Sequence, residues 1–341
     1  MLQKLKRPFG IYLSPPISIA YESCTSAASS EMVASSRLDA RQYALEYRIK
    51  NGSEKMTGVD SLRRKASHRP IGTFLAVLAL CAGLVFAGLY GMFGSAIPIA
   101  GGAILYAWTP MIAAGVTVWV LDESVRDWLG QLRHLRVGIH WYLIGITIAM
   151  LGTEAETIVA VLLGADVAVP YAPISDYILT FGVTLFLAGA LEELGWRGFL
   201  QPRLQQRFSA LPASIGIGVI WVLWHVPMIL TGTGDFTVFW EYMLNMTALS
   251  VILGWLYNNT EGALPAVMIA HASHNMPRIG DAAGNVPAVF DILSGDTVFY
   301  LLCASIIALY AGSQTLTRDG TLPVVPGQLG DCVPQQGGTA D

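Results

Sequence analysis

Two adjacent carboxylates, Glu192 and Glu193, and an arginine, Arg197, stand in the run Glu192-Glu193-Leu194-Gly195-Trp196-Arg197, inside a stretch otherwise apolar enough to cross a membrane. A charged side chain at the bilayer centre costs about 2.5–3.5 kcal/mol on insertion scales. A chain that carries three in one short segment has a use for them. Two further polar islands lie in equally apolar surroundings: Trp221-Val222-Leu223-Trp224-His225 and His271-Ala272-Ser273-His274-Asn275. Together the islands supply a base, imidazoles and an amide. That set suffices for metal-free hydrolysis of a peptide bond, or for a small metal site.

Spacing divides the roles. On a helix Glu193 and Arg197 share a face and can form an ion pair, whereas Glu192 is rotated by about 100° and lacks that partner. Glu193–Arg197 therefore reads as a structural pair and Glu192 as the reactive base. Taken alone, the same residues also describe a membrane exit, with Arg197 reaching for the surface. His225 precedes Pro227, which frees a backbone carbonyl nearby, so by itself it reads equally as a hydrogen-bonded packing residue. His271 and Asn275 are four apart and point at one spot. Both can donate to a developing oxyanion; interhelical hydrogen bonding is the plainer alternative. His274 is off that face and is expected to be a bystander. Glu154, Glu156 and Asn245 would line the same cavity or brace interfaces, and are not assigned to catalysis. Each island is ambiguous alone; three in separate apolar helices are hard to explain as scattered packing polarity.

The elements that must carry these residues follow from composition. The 341 residues are 53% hydrophobic and 13% charged, against roughly 25% charged in soluble proteins, and mean hydropathy is +0.52. This is the composition of an integral membrane protein. Backbone groups in lipid must satisfy one another, so the spans are helices and the fold class is all-α. Apolar stretches close to the ~20 residues a crossing needs fall at about 71–93, 97–121, 138–163, 177–200, 213–231, 238–256, 263–277 and 297–312. They predict a polytopic bundle of about eight transmembrane helices, the seventh of them short. Residues 71–315 form this domain, with its motif core at 176–275. Residues 1–70 read as a cytoplasmic, basic, disordered tail and 316–341 as a disordered C-terminal one. Segment 11–21 is short and broken by Pro15-Pro16, so it is not read as a signal peptide. Met32 and Met56 are alternative starts, which leaves the translation of residues 1–55 open.

Charge sets the orientation. Twelve of the 20 Lys and Arg lie in residues 1–70, and no lysine follows Lys65. That tail is a solvated one, with membrane lipid headgroups as its secondary partner. Arg63, Arg64 and Lys65, then Arg126, Arg133 and Arg136, then Arg203 and Arg207 all fall on one side of an eight-span count, and the opposite loops hold only Arg278. The positive-inside rule places both termini in the cytoplasm. No pair of matching halves supports an inverted-repeat transporter. Cys24, Cys81, Cys303 and Cys332 are scattered, without the spacing of a disulfide framework or a thiolate zinc site. Nothing suggests nucleic-acid readout.

The order E-E-x-x-x-R, aromatic-x-x-x-H, H-x-x-x-N, carried here by Glu192 to Arg197, Trp221 to His225 and His271 to Asn275, resembles the CAAX protease and bacteriocin-processing family. That family includes the type II CAAX prenyl endopeptidases and the Abi proteins. Trp221 stands where the family usually has Phe, an exchange expected to be harmless. The resemblance runs from about Asp176 to Asn275 and covers neither residues 1–70 nor those after Gly312. It implies an intramembrane endopeptidase of a prokaryotic plasma membrane, glutamate-centred and without a cofactor. Glu192 would activate water with help from His225, His271 and Asn275 would stabilise the oxyanion, and Glu193 and Arg197 would hold the site together. The implied partner is a peptide or protein substrate, with or without a lipid modification. CAAX specificity does not carry over, because nothing in the sequence reads a prenyl group. Two other readings stay open: a non-catalytic membrane immunity or scaffold protein of the Abi type, and a zinc-dependent intramembrane protease with Glu192, His225 and His271 as ligands. The zinc reading lacks an H-E-x-x-H helix.

Overall fold

A computed structural model describes residues 58–97, 99–232, 238–283, 290 and 292–325. Most of both expected tails, with Cys24 and Cys332, lies outside the described residues. Apolar runs form helices α1 (Pro70–Phe93), α2 (Thr109–Val120), α3 (Ile139–Thr153), α4 (Ala155–Leu162), α5 (Ile174–Phe186), α6 (Ala210–Leu230), α7 (Phe239–Asn259), α8 (Leu264–His274) and α9 (Gly295–Ala311). Pro70, Pro110 and Pro265 occupy first turns, where a missing N–H costs no intrahelical bond. Strand β1 (Asp166–Ala168) pairs antiparallel with β2 (Asp281–Ala283), Val167 opposite Ala282, and ties the loop after α4 to the loop after α8.

The fold is an all-α membrane bundle, as composition requires. Leu80, Leu84, Ile178, Phe186, Ile306 and Leu309 project outward, exposed, as lipid-facing side chains do. Four helical stretches are long and apolar enough to cross a membrane: Pro70–Phe93, Gly101–Val120, Ile174–Gln205 and Ala210–Leu230. A fifth is added if α3 and α4, bent by 63°, count as one span. The expected count of eight is not confirmed. α8 has 11 residues and α9 17. α7 carries Glu241, Asn245, Ser250 and Asn258 among its apolar residues because much of it is buried in protein rather than in lipid.

The stretch expected as one regular span at 177–200 is broken. α5 stops at Phe186, and Ala188 leaves helical geometry at φ −130° and ψ −123°. A 3-10 turn (Gly189–Glu192), a single α-turn (Glu193–Gly195), a π-helical turn (Trp196–Leu200) and a last α-turn (Gln201–Gln205) follow. Such a break strands backbone groups in an apolar medium. Trp108 relieves one of them, its Nε1–H donating to the Leu187 carbonyl at 2.6 Å. Gly195 lets the segment press against the Pro110 carbonyl at the start of α2, where a Cβ would lie 2.6 Å from that oxygen. α8, which carries the third motif, packs against α3, α5 and α7, and α6 runs along α7.

Helical and buried residues also occur outside the expected domain 71–315, at both ends. Residues Gly58–Ser67 form a helix, with the Arg63 guanidinium over the Trp119 ring. At the other end, Leu316 is fully buried and Thr317 and Val325 are buried too. The carbonyls of Ser313 and Gln314 accept the N–H groups of Leu211 and Ala210 at 3.0 and 2.8 Å. The side-chain amides of Asn258 and Asn259 donate to the Thr315 and Leu316 carbonyls, both at 2.8 Å. The physical reason is local: the first turn of a helix leaves N–H groups without intrahelical partners, and this segment supplies oxygens to α6. Truncating Leu316 to Ala should therefore lower stability by about 2–5 kcal/mol, the range for a buried leucine, read as a fall in detergent melting temperature. A melting curve unchanged by Leu316→Ala would return the segment to the status of a tail.

Candidate active site

Glu192 closes the 3-10 turn and is buried, 5% exposed. A buried carboxylate is tolerated only where hydrogen bonds replace water. Two indoles supply them: Nε1–H of Trp221 donates to Oε2 at 2.8 Å and Nε1–H of Trp196 to the same oxygen at 3.2 Å. Neither indole engages Oε1. Trp196 lies one turn further along the same segment, and Trp221 comes from α6.

Glu193 points elsewhere, as the spacing predicts. Its two oxygens accept from Arg197 Nη1 at 3.1 and 3.0 Å, and both side chains are wholly buried. Arg197 Nη2 donates onward to the Ser250 carbonyl at 3.2 Å and to its Oγ at 2.9 Å, and Ser250 Oγ–H donates to the Ser214 carbonyl at 2.8 Å. The ion pair is thus clamped to α6 and α7. Glu193 also has a partner that spacing alone does not reveal: Nδ1 of His271 lies 2.7 Å from its Oε1. A carboxylate accepts, so the Nδ1–H donates and His271 turns Nε2 the other way.

That Nε2 faces Gly189. A Cβ on Gly189 would lie 2.8 Å from Asn275 Nδ2 and 3.0 Å from His271 Nε2. Only glycine admits this approach, and it brings two groups of α8 to the backbone just ahead of Glu192. Asn275 caps α8 and is exposed, its backbone N–H bonded to the His271 carbonyl at 3.2 Å.

His225 sits one turn after Trp221 and is half-buried. Its Nδ1 lies 2.9 Å from the Trp221 carbonyl, rather than using the carbonyl that Pro227 leaves free. A carbonyl only accepts, so Nδ1 carries a proton and this bond fixes the orientation of the ring. The ring stands edge-on to Trp224 at 4.5 Å and to Tyr242 at 5.5 Å.

Trp221 joins these parts. Its indole holds Glu192, its carbonyl orients His225, its ring lies 5.2 Å from that of His271, and the Arg197 guanidinium sits 5.3 Å above it. Trp in place of Phe adds one contact to this position: the indole N–H donates to Glu192, which a phenyl ring could not do. Trp196, Ser250 and Gly189 are further site residues that the motif reading passes over. Trp196 was accessible to it, being four residues from Glu192. Ser250 and Gly189 depend on neighbours distant in sequence.

The lesser candidates serve other ends. Glu154 accepts the backbone N–H groups of Ile279 and Gly280, and Glu156 accepts that of Gly295 at 2.8 Å and pairs with Arg278 at 3.4 Å. Asn245 donates to Asp296 and Thr297 at 2.7 and 3.0 Å. These residues brace loops and the start of α9. Among the described residues, no group of three or more His, Cys, Asp and Glu is placed to hold a metal ion.

Residues 174–277 match the model of the family described as type II CAAX prenyl endopeptidase Rce1-like. Over these residues, under a third of its length, the chain is similar to that family. All three motifs fall within the matched residues. A curated relative, CAAX prenyl protease 2 of Methanococcus maripaludis, is 32% identical over an alignment of 100 residues that covers 27% of this chain and 37% of the relative. The chain thus matches little more than a third of that relative's length.

The two glutamates should respond differently to loss of charge. Glu193→Gln strands Arg197 in the interior and removes the acceptor of His271. Breaking a buried pair in this way costs roughly 3–5 kcal/mol, so detergent melting should fall steeply. In Glu192→Gln an amide oxygen can still accept both indole N–H groups, and melting should stay near that of the parent. The opposite ranking would reverse the two roles.

Proposed function

We propose that this protein is a membrane-embedded endopeptidase in which Glu192 activates the attacking water. One observation carries the reading: a buried carboxylate held by two indole N–H groups lies three residues beyond a glycine against which an imidazole and an amide from another helix converge. The family of the matched domain and the name of the relative support peptide-bond hydrolysis as the chemistry.

In this reading Glu192 takes a proton from water as the oxygen adds to the substrate carbonyl carbon, and His225 assists by orienting that water. The tetrahedral oxyanion is met by Asn275 Nδ2–H and His271 Nε2–H. The second donor requires an imidazole protonated on both nitrogens, for which Glu193 is the counter-charge. Glu192, Glu193, Arg197 and that imidazolium then sum to zero, so the site carries no net charge into the bilayer. When the C–N bond breaks, Glu192 returns its proton to the leaving amine. Glu193 and Arg197 keep the geometry and do not touch substrate. No step calls on a cofactor. The substrate is a peptide or protein that reaches the site within the membrane, with or without a lipid modification. The protein is a multi-pass one of a prokaryotic plasma membrane, and the arginine-rich segments favour both termini in the cytoplasm.

The test is cleavage by purified protein in lipid nanodiscs of fluorescence-quenched peptides ending in a CAAX box, one farnesylated on cysteine and one unmodified. Loss of one oxyanion donor costs about 10²–10³ in rate and spares binding. Asn275→Ala should therefore lose about that much in kcat with KM largely kept, and Glu192→Gln should lose turnover altogether. EDTA should leave the rate unchanged. Activity removed by chelation and restored by zinc would replace this mechanism with a metal-dependent one. Full activity in Glu192→Gln would remove the base from the account, and no cleavage of either peptide would favour the non-catalytic reading.

A further inference from the structure

Asn275 and His271 sit on the last turns of α8, and beyond Asn275 the chain passes into a loop. Something must fix that helix end if two donors are to share one target. His274, between them in sequence, turns its ring away from Gly189. Its Nδ1 lies 2.9 Å from Tyr300 Oη, with the rings 5.5 Å apart at 64°. Tyr300 Oη lies in turn 3.0 Å from the Ala149 carbonyl on α3. A phenol has one proton and a carbonyl can only accept. The Tyr300 proton therefore goes to Ala149, and His274 Nδ1–H must donate to Tyr300. The result is a directed chain from α8 through α9 to α3.

The surroundings are shaped to this chain. Tyr300 is fully buried, and a Cβ on Gly152 would collide with its ring. Ala149, Gly152 and Tyr300 all lie outside the matched residues 174–277. Nothing in the chain reaches Glu192, so it has no direct part in proton transfer. It grips the residue immediately before Asn275, which is exposed and whose backbone N–H bonds back within the last turn of α8, to the His271 carbonyl at 3.2 Å. Misplacing a reacting or stabilising group by 1 Å can cost about 10²-fold in rate.

We propose that His274 and Tyr300 form a positioning clasp, which acts through Asn275 by fixing the last turn of α8 against α3 and α9. The catalytic consequence rests on the endopeptidase reading above; the structural one does not. Tyr300→Phe keeps the ring and deletes both bonds. In nanodiscs it should raise amide hydrogen exchange at residues 272–276 by about tenfold while leaving the first turn of α8 unchanged. On the quenched peptides it should lower kcat by about 10- to 100-fold, the scale of a small misplacement, with KM nearly constant. In an Asn275→Ala background the same change should cost less than about twofold, because a residue acting through Asn275 has nothing left to position. His274→Asn, which retains a donor near Nδ1, should restore most of the rate lost in His274→Leu. Unchanged exchange at 272–276 would overturn the clasp. So would a full, additive loss in the Asn275→Ala background, which would mark general packing. If the parent protein cleaves neither peptide, the endopeptidase reading fails, and the exchange experiment still decides the clasp. If Tyr300→Phe does not fold, His274→Leu, which leaves the Tyr300–Ala149 bond in place, gives the same readouts.

Discussion

Burying two neighbouring carboxylates in an apolar helical bundle is the constraint on which the rest of this structure depends. Neither Glu192 nor Glu193 can be left without donors, since stranding a buried charge costs roughly 3–5 kcal/mol, a large share of the net stability of a fold. The donors come from different elements. Trp196 and Arg197 come from the same broken segment, Trp221 from α6 and His271 from α8, while Ser250 of α7 holds Arg197 in place. Charge satisfaction and helix packing are therefore one problem. An element that drifts loses a bond to a buried charge, and the site in turn pins the elements together.

The same constraint accounts for the irregular backbone between Ala188 and Leu200. A continuous α-helix would set successive side chains about 100° apart at fixed height. The 3-10 turn before Glu193 and the π-helical turn after Gly195 change both spacing and height. They present Glu192 to the two indoles and Glu193 to Arg197 and His271. Departures of this kind recur at functional sites because regular geometry does not aim neighbouring residues at separate targets. They also release backbone groups, and Trp108 from the segment before α2 answers one of these.

Periodicity and spacing made part of this legible. Helical character follows from apolar run lengths, and the Glu193–Arg197 pair and the His271–Asn275 convergence follow from four-residue spacing. What spacing could not supply was contact between segments distant in sequence. Glu193 serves His271 as well as Arg197, a link across 78 residues. Trp221 looks like a ring in a motif, and only the fold brings its indole to Glu192. His274 looks idle because the sequence gives no sign that Tyr300 waits on α9. The burial of Leu316 and Thr317, at the start of the expected C-terminal tail, was hidden for a similar reason: the polar composition there suits solvent, and only the fold brings the Leu316 carbonyl to the Asn259 amide at the end of α7. The span count of eight is not confirmed: four or five described helical stretches are long and apolar enough to cross, and hydropathy alone does not say which of the others, such as the largely buried α7, face protein.

The claim at the centre of this account is that Glu192, Asn275 and His271 surround one tetrahedral carbon. A structure of the protein with a phosphinate or aldehyde peptide mimic of the tetrahedral intermediate tests it most directly. The account predicts the mimic's oxyanion about 3 Å from Asn275 Nδ2 and His271 Nε2, the distance of a working donor, with the Glu192 carboxylate on the side from which water attacks. A mimic bound with its tetrahedral centre away from Glu192, or with its oxygens on a metal ion held by Glu192, His225 and His271, would contradict it.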